Sequence, residues 1–145
     1  MALTTDAVRN RMGESAEPEF FDIPVAASTV IYNGALVCYN AAGYATKGAV
    51  ATTLKALGVA DAGGTVDNST GANGDKRVRV RRGVFPFKNS SAADLIAITE
   101  LLTTCYIVDD ETVAKTNGSS TRSVAGTVMQ VDASGTVWVK VGAAL

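Results

Sequence analysis

The chain has 145 residues, 47% of them hydrophobic, which is about one domain's worth and enough to build a core without metals or cross-links. Its 13 basic residues balance 14 acidic ones for a formal net charge of −1, excluding a general electrostatic attraction to nucleic acid or anionic membrane. Histidine is absent, which removes the commonest general base, the usual catalytic dyads and triads, and the commonest metal ligand.

Residues 1–28 read as an extended N-terminal arm. Asp6, Arg9, Arg11, Glu14, Glu17 and Glu19 are scattered among apolar residues, and Pro18 and Pro24 interrupt regular structure. A short helical turn from Thr5 to Met12 is the most its apolar spacing supports. This charged start contains no uninterrupted hydrophobic region of secretory type, and the sequence has no apolar run of the roughly 18 residues that cross a bilayer. Synthesis in a cytoplasm, without a membrane partner, is the expectation. Phe20 and Phe21 lie side by side between Glu19 and Asp22. Two rings are costly to leave in water on a tail, which suits an arm that docks on a neighbouring subunit or a partner.

Residues 29–145 read as a β-rich domain. Val30–Tyr32, a turn at Asn33-Gly34, Ala35–Asn40, a turn at 41–43 and Tyr44–Lys47 form a meander of hairpins. Leu57–Ala60 is a further strand. Residues 61–75 are rich in glycine and small polar side chains, and most of the segment reads as a mobile surface loop. Lys76–Lys88 is the longest strand. Val78 and Val80 take one face and Arg77, Arg79 and Arg81 the other, while strict alternation would put Phe85 and Phe87 on the arginine face. A bulge at Gly83 returns both rings to the valine side.

One interior helix is expected over 92–102, capped by Ser90 or Ser91, with Leu95, Ile98, Leu101 and Leu102 closing the core. Two hairpins follow: 105–109 with 112–116 across Asp110-Glu111, and 124–131 with 136–141 across 132–135. About eight short strands with regular turns imply a mainly β fold, a compact β-barrel or sandwich with one short helix. Cys38 and Cys105 lie in short apolar runs and read as free, buried thiols rather than a disulfide.

The remaining polar clusters carry little chemistry. Asp109, Asp110 and Glu111 sit where a tight turn needs them, and neighbouring strand carboxylates point to opposite faces, unlike a glycosidase pair. The oxygen-rich loop with Asp67, Asn68, Ser69, Asn73 and Asp75 lacks the order and closing glutamate of a calcium-binding EF-hand. The glycines match no phosphate-cradling loop, and two isolated cysteines make no zinc site. No catalytic residue, metal or cofactor is expected. The stripe Arg77, Arg79, Arg81, with Arg82, is the one concentrated positive surface. It reads as a solvated strand face, a contact for an acidic protein partner, or a weaker candidate for nucleic acid, since no stacking aromatics alternate on that face.

The run from Thr29 to Ala45 (TVIYNGALVCYNAAGYA), that from Tyr106 to Ala114 (YIVDDETVA), and those from Ala125 to Val128 and Gly135 to Val141 resemble small capsid decoration, or cement, proteins of tailed bacteriophages. The similarity spans residues 22–141 and consists of diffuse hairpin patterns. It implies a β-tulip or related barrel, a homotrimer, and binding to the major capsid protein on the outer surface of the expanded virion head. Such a protein is structural, not an enzyme, with no nucleic-acid partner. Arg9, Arg11, Phe20, Phe21, Arg77, Arg79 and Arg81 are the expected capsid or inter-subunit contacts. A β-sandwich binding module, tail-associated or carbohydrate-recognising with Trp138 as its platform, is the alternative.

Overall fold

The computed structural model describes residues 20–142, so Arg9, Arg11 and the turn expected over Thr5–Met12 lie outside the described residues. Twelve strands run in chain order: β1 (Phe20–Pro24), β2 (Thr29–Ile31), β3 (Leu36–Tyr39), β4 (Ala45–Lys47), β5 (Lys55–Ala60), β6 (Val66–Asn68), β7 (Arg77–Arg81), β8 (Gly83–Phe87), β9 (Thr104–Ile107), β10 (Val113–Ala114), β11 (Val124–Val131) and β12 (Val137–Val141). They form two five-stranded antiparallel sheets, ordered β1-β7-β5-β3-β4 and β10-β9-β11-β12-β8, and a small pair β2-β6. The architecture is a β-sandwich. The barrel expected as the other possibility is not formed, although each large sheet curls until its edges touch at one parallel bridge, Val25 with Ala45 and Lys88 with Thr112.

Two cores result, and the first sheet lies between them. Leu36, Cys38 and Val59 face the second sheet and pack with Phe87, Ile107 and Val139. Val37, Val78, Val80 and Ile23 face the other way, into the curl closed by Ile31 of β2. Strand β3 therefore buries Leu36, Val37 and Cys38 in succession, each wholly inaccessible. A strand with a core on both faces reads as a continuous apolar run rather than an alternation. In β12 the alternation is clean: Val137, Val139 and Val141 are buried and Trp138 and Lys140 point outward.

The hairpins β3–β4, β9–β10 and β11–β12 form as expected. Asn40 Oδ1 accepts from the backbone N–H groups of Ala42 and Tyr44, and Gly43 takes φ +84° in that turn. Asp132 closes the last hairpin in the same way, its Oδ1 accepting from the N–H groups of Ser134 and Thr136. Both cysteines are buried and free.

Several expectations are corrected. The arm does not extend to residue 28: Phe20–Pro24 is the edge strand β1, paired residue by residue with β7, because Ile23 has an apolar face to bury. Asn33-Gly34 does not join a hairpin. Only Gly34 has a positive φ, as in a type II turn, whereas a tight type I′ hairpin needs it at both central residues. The turn instead carries the chain from β2, which pairs with β6, to β3 in the first sheet. The expected mobile loop 61–75 thus contributes a strand, and Asn68 is buried, its amide donating to the carbonyls of Ala26 and Ala72.

At Gly83 there is a change of sheet rather than a bulge. Strand β7 belongs to the first sheet and β8 to the second, with Arg82 between them and Gly83 at φ +151°. Phe87 reaches the second sheet's core while Val78 and Val80 serve the other, so the two apolar registers never needed to share a face.

The helix expected over 92–102 is absent. Two single 3-10 turns, Ala92–Asp94 and Ile98–Glu100, stand in its place. Their flanking backbone groups bond elsewhere: Asn89 brackets Ile96, accepting its N–H and donating to its carbonyl, and the Leu102 N–H reaches the Val128 carbonyl at 2.7 Å. Ile96 alone plugs the core, while Leu95, Ile98, Leu101 and Leu102 are exposed.

Candidate functional site

Strand β1 pairs with β7 so that Phe20 lies opposite Arg81 and Asp22 opposite Arg79. Directly opposed residues of an antiparallel pair share a face, which puts Phe20 and the arginine stripe on the outer side. The Arg79 guanidinium carbon sits 3.7 Å from the Phe20 ring centroid. Arg77 donates to the Asp22 carbonyl at 3.1 Å. Arg81 lies 5.2 Å from the Phe85 ring centroid on β8 and 3.8 Å from the Asp61 carboxylate. Arg82 covers Phe21 at 5.1 Å, and Phe21 turns its other side to the first sheet's inner core. Every described member of the expected contact set, Phe20, Phe21, Arg77, Arg79 and Arg81, is therefore on one edge of the molecule.

The change of sheet extends this edge. Strand β8 runs on from Arg82 and pairs with β12, placing Pro86 opposite Trp138 and Val84 opposite Lys140. A shallow depression follows, lined by Arg81, Arg82, Val84, Phe85, Pro86 and Trp138. The Trp138 indole N–H points to Asp132 Oδ2 at 3.4 Å, which ties the ring to its own hairpin. Asp132 Oδ2 thus faces the indole, while hydrogen bonds, chiefly from Ser134, hold its carboxyl below the usual aspartate range.

No aromatic residue alternates with the arginines along β7 itself. The rings come instead from β1 and β8, on either side in the chain, and only pairing brings them there. Each guanidinium over a ring keeps its charge while covering apolar area, an arrangement worth about 0.5–1 kcal/mol when exposed and more when desolvated. Arginine and tryptophan beside small apolar residues are what well-packed protein contacts use as anchors.

Other polar groups are engaged in holding the fold. Glu111 pairs with Lys88 at 2.8 Å, and Asp109 accepts the Glu111 N–H. Asp94 binds Arg122 at 3.1 Å and also accepts from Thr116, whose hydrogen bond is the chief cause of its lowered pKa. Among the described residues no three His, Cys, Asp or Glu side chains cluster as a metal site, and no helix is long and apolar enough to cross a membrane.

The connection that replaces the helix offers a second exposed surface. Leu102 adopts φ +65°, a conformation costly for a branched side chain, yet is 72% exposed. No protein-family model, curated protein or solved structure matches this chain.

Proposed function

We propose that this chain is a structural capsid decoration, or cement, protein of the β-tulip-like type. In this reading it acts as a homotrimer on the outer surface of a mature phage head, bound to the major capsid protein and without enzymatic activity. The observation that carries the proposal is the cationic and aromatic edge assembled from β1, β7, β8 and Trp138. Its ring faces are taken by guanidinium groups, which disfavours base stacking and favours a protein surface bearing carboxylates. The sequence resemblance over 22–141 supplies the kind of partner.

The task needs a stiff body and a contact face, and the two-core sandwich provides the first. Arg79 and Arg81 are the principal contacts, held by Phe20 and Phe85 respectively, Phe21 lies under Arg82, Arg77 is secondary, and Arg9 and Arg11 add charge from the preceding segment. Many equal sites on one lattice then act together, and a protein that binds only the expanded shell stabilises it by mass action.

The test is quantitative mass spectrometry of purified virions. A copy number equal to that of the major capsid protein, or a fixed simple fraction of it, is expected. A handful of copies per particle would instead indicate a tail or host-directed module. With purified shells, Arg79→Ala is expected to weaken decoration about tenfold or more, the effect of losing one central anchor. Its unfolding midpoint should move little, because the Arg79 side chain is exposed.

A further inference from the structure

Where β7 leaves the first sheet at Arg81, strand β5 loses its neighbour on that side. Val59 and Ala60 pair with β7, while Lys55 to Gly58 continue beyond it and pair only with β3. The space alongside opens into a groove of about 620 Å³. Leu54, Leu102, Val124 and Met129 line it, with Lys55 and Lys140 also on its lining. Leu102, Val124 and Met129 are 72%, 51% and 38% exposed, so the groove is apolar and open. Its lining includes two lysines and no carboxylate.

Strand β1 begins at the end of the sheet where β7 leaves β5. It runs antiparallel to β7, so its first residue, Phe20, lies opposite Arg81 at the end where β7 departs. Arg82 packs on Gly142, which lies at the groove: a β-carbon on Gly142 would stand 2.5 Å from the Arg82 side chain. Residues 1–19 carry Asp6, Glu14, Glu17 and Glu19 against Arg9 and Arg11, an acidic excess opposite to the groove's two lysines. Glu17 and Glu19 come first on leaving β1. Met12 follows, and at about 3.3 Å per extended residue it reaches up to about 26 Å from Phe20. Val8 and Leu3 are further apolar groups of the same segment.

We propose that the groove between β5 and the β11 face is the docking site of residues 1–19 of the same chain. Glu17 and Glu19 face Lys55 and Lys140, and Met12 and Val8 cover Leu102, Val124 and Met129. This goes beyond the capsid reading and does not depend on it.

Hydrogen exchange of the full-length protein, read by mass spectrometry on amides 2–19, tests the proposal. Docking is expected to slow these amides about tenfold or more relative to an unstructured peptide, independently of protein concentration from about 1 to 100 µM. Glu17→Lys with Glu19→Lys, changes outside the β body, should abolish the protection. Adding Lys55→Glu and Lys140→Glu to that variant should restore it. Wild-type amides exchanging within about twofold of the free-peptide rate would overturn the proposal. Protection that grows with concentration would assign the groove to a neighbouring copy's segment and overturn docking within one chain. Protection that ignores the charge reversal would put the segment on another surface, with the same result.

Discussion

Cys38 and Cys105 are wholly inaccessible, and burial pushes each thiol up to about 12. A raised folded pKa stabilises the fold fully below the unfolded value near pH 8.5, and that stabilisation is lost as pH climbs toward the folded value. Urea unfolding should therefore show stability falling above about pH 9, with a slope approaching 2.7 kcal/mol per pH unit for two thiols, and Cys38→Ala with Cys105→Ala should flatten that limb. The acid side has the opposite sign. Asp67, Asp94, Glu100 and Asp132 are all held low by hydrogen bonds, from Ser69, Thr116, the Ala97 N–H and Ser134 respectively. Their contribution is present above the unfolded carboxyl values and disappears as pH falls through the folded ones. The unfolding midpoint should hold steady from pH 7 to about 5 and decline below about 4. The buried thiols were legible from the apolar runs around each cysteine. The lowered carboxyl of Asp94 was not, because Asp94 finds Thr116 and Arg122 only after folding.

The 92–102 connection shows how an element can be misread. Leucines and isoleucines at helical spacing pointed to an amphipathic helix, yet the backbone bonds to its surroundings and only Ile96 is buried. Asn89 decides this, since its side-chain amide occupies both backbone groups of Ile96. Asn89→Ala should lower unfolding free energy by about 1–3 kcal/mol, the cost of leaving half-buried backbone groups unpaired. A loss below a few tenths would mean that water replaces the amide and that packing of Ile96 alone holds the segment. Gly83 is a milder case: the clash of apolar registers located a break in the strand correctly. Its nature, a passage between sheets, depended on partners in β5 and β12 that periodicity cannot reveal.

At the scale of the molecule, the first sheet serves two cores, and β3 belongs to both. Cooperativity follows from that sharing, together with the passage from β7 to β8. Leu36→Ala faces one core and Val37→Ala the other. Both are expected to lower one common unfolding transition, Leu36→Ala by about 2–5 kcal/mol. Two separable transitions seen by calorimetry would show that the halves melt independently, and the stiff body invoked for capsid stabilisation would be lost. The contact edge belongs to this scale too. Arg79 and Arg81 were visible as a stripe and Phe20 and Phe21 as an apolar pair, but β1 pairing on β7 turned them into one surface.

By itself the sequence determined the β class, three of the local hairpins and the buried thiols, because alternation, turn residues and apolar runs act over a few neighbours. The tertiary structure decided what joins distant segments: the sharing of the first sheet between two cores, the strand inside the loop at 66–68, and the meeting of guanidinium groups with rings from β1 and β8. Sheet pairing is a long-range choice among strands of similar local character. It is settled by which arrangement buries the most apolar surface while satisfying every backbone hydrogen bond, a sum no short stretch of chain contains.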